Sequence, residues 1–237
     1  MIDRLSLENL LFLDIETVPE CADFSELDDE MKMLYEAKTA YQRKDEFTAE
    51  EFYDKAGIWA EFGKIICISV GYFVYKNGER QFRTTSYAGE EKELLVNFAN
   101  LLEGYFGGVE KLLCGHNIKE FDVPFLVRRM LINGVKIPNK LRVFGKKPWE
   151  VQHLDTMELW KLGDFKNYTS LRLLTKILGI PSPKDDIDGS EVARVYYKEK
   201  NLDRIIIYCE KDVVAVAQVL LKFRQEELLT EDEILSV

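Results

Sequence analysis

The sequence has 237 residues, 46% of them hydrophobic, and a formal net charge of −10. That is enough apolar material for one domain with its own core, while no window approaches the ~18 continuous apolar residues of a membrane span. The start, MIDRLSLENLLFLDIE, lacks the basic stretch and small-residue cleavage site of a secretory signal, so a cytoplasmic protein with a single domain over 1–237 is expected.

In chain order, LLFLDIET (10–17) is a short apolar run ending in polar residues, which predicts a strand. Residues 20–57 are charged, with Leu27, Met31, Leu34 and Tyr35 at helical spacing, and read as an acidic helical insertion. KIICISVGYFVY (64–75) predicts a second strand. It is joined through Asn77-Gly78, a two-residue hairpin turn, to a third over 81–88. Residues 90–106 form an amphipathic helix, and KLLCGHN (111–117) a buried strand. FDVPFLVRRMLING (121–134) is a helix that tolerates Pro124 in its first turn. A basic loop (139–149) precedes VQHLDTMELW (151–160), a strand running into a helix. Helices follow over 170–179, stopped by Gly179, over 189–200 and over 202–224. This order predicts an α/β fold, a mixed five-stranded twisted sheet with helices on both faces.

Charge is unevenly spread. Residues 20–55 carry a net −7 and the acidic C-terminal tail, 225–237, a net −5, leaving the rest at +2. That remainder is compatible with a polyanionic partner, which the total charge argues against. Cys67 and Cys114 lie inside apolar runs and read as buried free thiols rather than disulfides or zinc ligands.

Three short segments carry chemistry. Asp14 and Glu16, two apart on a strand, point to one face, where two carboxylates repel unless a cation lies between them. The plain alternative is a strand end entering solvent. Asp122 stands where a strand turns into a helix, a common N-cap position. Around it, Asn117, Phe121 and Phe125, with Arg128 and Arg129, suit a single nucleic-acid strand, because bases stack on aromatic rings beside cations. Tyr208 and Asp212 are neighbours at i and i+4 on a helix whose core side is Ile205, Val213, Val216 and Leu220. A buried hydrogen-bonded pair is the plain alternative there.

Together LDIET, HNIKEFDVPFLVRR and YCEKD resemble the three motifs of DEDD-superfamily 3′→5′ exonucleases of the tyrosine branch. The closest likeness is to the proofreading domain of family B DNA polymerases and to related stand-alone predicted exonucleases. The histidine branch would place a histidine five residues before Asp212, where this chain has Ile207. The likeness runs from about residue 10 to residue 221 and takes in SLRLLTKILGIPSPKDDIDG, and a stand-alone exonuclease without a polymerase domain is expected. It implies a ribonuclease H-like fold and a two-metal phosphodiester hydrolysis using Mg2+ or Mn2+. Asp14, Glu16, Asp122 and Asp212 would hold the metals: Asp14 bridging both, Glu16 and Asp212 sharing one, Asp122 on the other. Tyr208 would orient the attacking water, since a tyrosine of pKa ~10 is a poor base at neutral pH. Thr17, Asn117 and Phe121 would hold the 3′-terminal nucleotides.

The expected substrate is single-stranded DNA, released as nucleoside 5′-monophosphates. An exoribonuclease, or a non-catalytic nucleic-acid-binding protein on the same fold, are the alternatives. Lys140, Arg142, Lys146 and Lys147 are candidates to track the strand backbone, and Lys184 another contact; His116 and His153 read as structural. For the acidic insertion, a gate against duplex or a docking element for a protein partner is expected.

Overall fold

The computed structural model describes residues 2–44, 46–164, 168–181 and 187–237. Lys184 lies outside them. The strands are β1 (Leu10–Pro19), β2 (Gly63–Lys76), β3 (Glu79–Ala88), β4 (Leu112–Gly115), β5 (Leu154–Asp155) and β6 (Ile234–Ser236). The helices are α1 (Asp29–Arg43), α2 (Glu91–Glu103), α3 (Asp122–Ile132), α4 (Thr156–Lys161), α5 (Leu171–Ile177), α6 (Val192–Arg194) and α7 (Leu202–Phe223).

The six strands form one mixed sheet in the order β5-β4-β1-β2-β3-β6. β1 runs antiparallel to β2 and parallel to β4, so the acidic half of β1 and the C-terminal end of β4 lie at the same end of the sheet. The β2–β3 hairpin closes through Asn77 (φ 55°) and Gly78 (φ 84°), the two positive φ angles that a twist-matched two-residue turn requires.

Strand alternation separates two cores. Odd-numbered β1 residues (Leu11, Leu13, Ile15) are buried with Leu95 and Phe98 of α2 and Phe125 and Leu126 of α3. Even-numbered Leu10 and Phe12 are buried on the other face with Val213, Val216 and Leu220 of α7. Phe12 meets Phe73 and Phe82 edge-on at 5.7 and 5.4 Å, and each such buried ring contributes ~1.5–3 kcal/mol of apolar burial. α7 comes so close to β2 that a Cβ on Gly71 would lie 2.4 Å from the Phe82 ring and 2.7 Å from Val213. The same alternation puts Asp14 and Glu16 on the α7 side.

Four expectations are corrected. The sheet has six strands rather than five, because residues 234–236 of the acidic tail pair in parallel with β3. Arg80 pins that segment, its Nε and Nη2 donating to both Glu233 carboxylate oxygens at 2.8 and 2.9 Å. The insertion over 20–57 is helical only in part: α1 and two 3-10 turns, with Leu34 51% exposed, surround an aromatic core of Tyr35, Phe52 and Tyr53. Its strongest ring contacts come from residues outside the helical repeat, such as Phe62, whose centroid lies 5.1 Å from that of Tyr35. The segment over 189–200 is three α-helical residues followed by a π-helical turn, Val195–Glu199.

Arg129 is the fourth. It is buried among Glu91, Glu20 and the Ala60 carbonyl, and so braces α3 against α2 instead of facing a ligand. Among the described residues, no helix is long and apolar enough to cross a membrane.

Candidate active site

β1 delivers Asp14 and Glu16 to the α7 face two residues apart, and Glu16 is only 8% exposed. Between Glu16 and Thr17 the pairing with β2 shifts by one residue, a bulge of the kind found where a sheet re-aims side chains beside a site. α7 lies over these positions. The Cys209 thiol donates to Asp14 Oδ2 at 3.4 Å and is near the Asp14 carbonyl at 3.5 Å. Ligand atoms of Asp14, Glu16 and Cys209 all lie within 4.8 Å of one another. One turn along α7 from Tyr208, Asp212 accepts the Tyr208 hydroxyl hydrogen bond.

Asp122 enters from the other core. It is the first residue of α3, and the cap position belongs to Phe121, which makes no side-chain capping bond. The plain N-cap reading of Asp122 therefore fails. The backbone N–H groups of Asp122 itself and of Ile15 favour its ionised form, so the start of α3 stands beside the acidic half of β1.

Electrostatics report how close these groups are. Burial, then Glu16, Asp212 and Asp122, push the Asp14 carboxyl well above the usual range. Burial, then Asp212, Cys67 and Asp122, do the same to Glu16. Burial, followed by the charge of Asp155, lifts Asp122 to about 7 despite its two backbone donors. Burial, then Asp212, Glu16 and Asp14, raise Tyr208, so its hydroxyl stays protonated at neutral pH. The five residues thus form one coupled cluster assembled from three distant segments. Buried carboxylates that destabilise one another's charge, offering hard oxygen donors, fit divalent cations such as Mg2+ or Mn2+.

The other expected residues occupy the segments that adjoin Glu16 and Asp122 in the chain. Asn117, in the left-handed region at φ 65°, donates its N–H to Asp155 at 3.0 Å, and its buried side-chain oxygen has no hydrogen-bond partner. Phe121 is half-buried with its ring 5.5 Å from Phe125. Thr17, half-buried, follows Glu16 on the strand and by alternation shares the face of Ile15. The basic loop is elsewhere: Lys140, Arg142 and Lys146 line a cavity at the N-terminal end of β4, whereas Asn117 and Asp122 follow its C-terminal end. Lys140 donates inward to the Gly108 and Lys111 carbonyls, and Lys147 lies over the Trp149 ring.

His116 and His153 are structural, as expected. His116 bonds Thr156 and the Thr169 carbonyl, while His153 bonds the Leu113 N–H and the Lys140 carbonyl. All four cysteines are free thiols.

Two residues carry more of the site than their sequence surroundings suggested. Asp155 is buried and accepts backbone N–H groups of Asn117, Lys119, Met157 and Glu158, so one carboxylate caps α4 and fixes the turn that leads to Asp122. An aspartate at a strand–helix junction is a cap signal, but its reach to Asn117 is tertiary. Cys209 shows in sequence only as the neighbour of Tyr208.

A mixed sheet with helices on both faces, and acidic residues gathered at one end beside an overlying helix, define the ribonuclease H-like class. Comparison with known proteins narrows it. Residues 58–234 match a family described as predicted 3′–5′ exonucleases related to the exonuclease domain of PolB, and the chain belongs to that family. The match contains Asp122, Tyr208 and Asp212 and begins after Asp14 and Glu16. An uncharacterized protein of Methanocaldococcus jannaschii is 33% identical over 110 residues, 46% of this chain and 56% of that protein's length. The family B DNA polymerase of the hyperthermophilic archaeon Pyrobaculum calidifontis superposes with a TM-score of 0.50 at 15% identity. That superposition covers 90% of this chain and 24% of the polymerase, a likeness of fold.

Proposed function

We propose that the protein is a metal-dependent 3′→5′ exonuclease that removes nucleoside 5′-monophosphates from the 3′ end of single-stranded DNA. The observation that carries this reading is the gathering of buried acids at one end of the sheet: ligand atoms of Asp14 and Glu16 lie within 4.8 Å of each other, and the charges of Asp212 and Asp122 bear on both. Four acids so close have no structural use for one another, since each makes the others costlier to ionise. They suit a reaction that needs positive charge held at a crowded phosphate.

When bound, two divalent cations would supply that charge at the attacking and leaving oxygens. Asp14, whose carboxyl is raised by the charges of Glu16, Asp212 and Asp122 together, is the candidate to bridge the pair. Glu16 and Asp212 would hold one ion and Asp122 would serve the other. Tyr208 then acts as a hydroxyl rather than a base, orienting the attacking water while Asp212 fixes its rotamer. Asn117 would receive the 3′-hydroxyl on its unpaired side-chain oxygen. Phe121 would stack beside the terminal base, and Thr17 would contact the terminal sugar. The acidic insertion, seated where a Cβ on Gly57 would meet Val18 at 3.0 Å, would keep duplex from the site or receive a protein partner.

End-labelled single strands of matched DNA and RNA sequence test the reading. Stepwise shortening from the 3′ end that needs added Mg2+ or Mn2+, stops with chelator and is faster on DNA is expected. Faster shortening of RNA would make the protein an exoribonuclease, and no shortening of either strand would overturn the nuclease reading.

A further inference from the structure

Val195–Glu199 is a π-helical turn, and such turns concentrate at functional sites. It presents Tyr196 and Tyr197 side by side, ring centroids 4.9 Å apart and nearly perpendicular. Both rings are half-buried. With Lys200 and Leu202 they line a cavity of about 340 Å³, at the lower end of the size of small-molecule sites.

Three observations connect this cavity to the catalytic cluster. The Tyr197 hydroxyl donates to the Pro19 carbonyl at 2.5 Å and the Glu20 carbonyl at 3.0 Å, fastening the turn to the end of the strand that carries Asp14 and Glu16. Lys64, paired with Val18 two residues beyond Glu16, holds its ammonium 5.6 and 5.5 Å from the two tyrosine rings. Leu202 opens α7 six residues before Tyr208, about 9 Å along the helix axis, roughly the span of two to three stacked nucleotides.

Local charge favours an anion. Glu199 is held by Arg194 and Arg204, and the Glu20 carboxylate by Arg129 at 3.0 Å; the Lys64 ammonium, beside the rings, meets the neutral Glu20 carbonyl, at 3.1 Å, and Lys200 is exposed on the cavity wall. Aromatic faces beside cations bind successive bases of a single strand with little sequence preference.

We propose that this cavity is a nucleotide subsite for the same single strand, a few residues upstream of the scissile bond. A base would stack on Tyr196 while Lys64 and Lys200 attract the adjoining phosphates, and Tyr197 anchors the turn to β1. The subsite rests on the nuclease reading for its ligand.

Fluorescence anisotropy with 5′-labelled oligothymidylates tests it, using phosphorothioate linkages to slow cleavage and Mg2+ present throughout. A dinucleotide fills only the catalytic pocket, whereas a hexanucleotide reaches the cavity. The wild type should bind the hexanucleotide far more tightly than the dinucleotide. Tyr196→Ala should lose roughly 5- to 150-fold of hexanucleotide affinity, the range of one base–aromatic stack. Tyr196→Phe, which keeps the ring, should retain it, and Lys64→Gln should weaken it. Unchanged hexanucleotide binding by Tyr196→Ala, or equal losses for both lengths, would overturn the subsite. A wild type that binds neither strand would overturn the nuclease reading and the subsite with it.

Discussion

Tyr208 is held as a neutral hydroxyl by burial and by three neighbouring acids, with its donor proton given to Asp212. A group so placed can position a water but cannot take its proton at neutral pH. Tyr208→Phe should therefore lower kcat by about 100-fold, the scale of losing a group that positions the reacting water, while Mn2+ affinity stays near that of the wild type. Steady-state rates paired with a Mn2+ titration check this; wild-type turnover by the variant would remove Tyr208 from the mechanism. At this scale the sequence was most informative about charge. Spacing alone put Asp14 with Glu16 on one strand face and Tyr208 with Asp212 on one helix face. It did not reveal that Asp155 fixes the turn before Asp122, or that Cys209 touches Asp14, because both contacts cross between elements far apart in the chain.

Elements with a strong hydrophobic period were legible: β1, the β2–β3 hairpin and α7 all fall where alternation or helical spacing puts them. β6 was not. Three residues after an acidic run hold too little pattern to read, and what docks them is Arg80, about 150 positions earlier. That ion pair gives the element a pH signature. Arg80, with the Thr230 N–H, holds the Glu233 carboxyl at about 2 against an ordinary 4.5. The unfolded chain thus takes up the proton first as pH falls. The pair's contribution is complete above about pH 4.5 and is lost as pH drops toward 2. Partial exposure limits it to about 1–2 kcal/mol. Urea unfolding at stepped pH should show the wild type more stable than Glu233→Gln near neutrality, with the difference closing across that window. A gap that stays constant down to the lower limit would assign the stabilisation to something other than the charged pair.

For the molecule as a whole, the distribution of charge matters more than its total of −10. The insertion concentrates acidity beside the end of β1 and stands on its own aromatic core, so its surface charge can be changed without touching the sheet. Neutralising exposed Asp29, Glu30 and Glu36 as the corresponding amides should tighten binding to duplex ends several-fold at low salt, with the effect fading above about 0.15 M as screening sets in. Equal duplex affinity at both salt levels would leave the insertion without a gating role. The central claim is that four carboxylates from three distant segments hold a pair of cations, and Mn2+ calorimetry in the presence of thymidine 5′-monophosphate tests it most directly. Two bound ions are predicted for the wild type, with the shared pair lost in Asp14→Asn. A wild type that binds no Mn2+, or an Asp14→Asn variant that binds it equally well, would contradict the account.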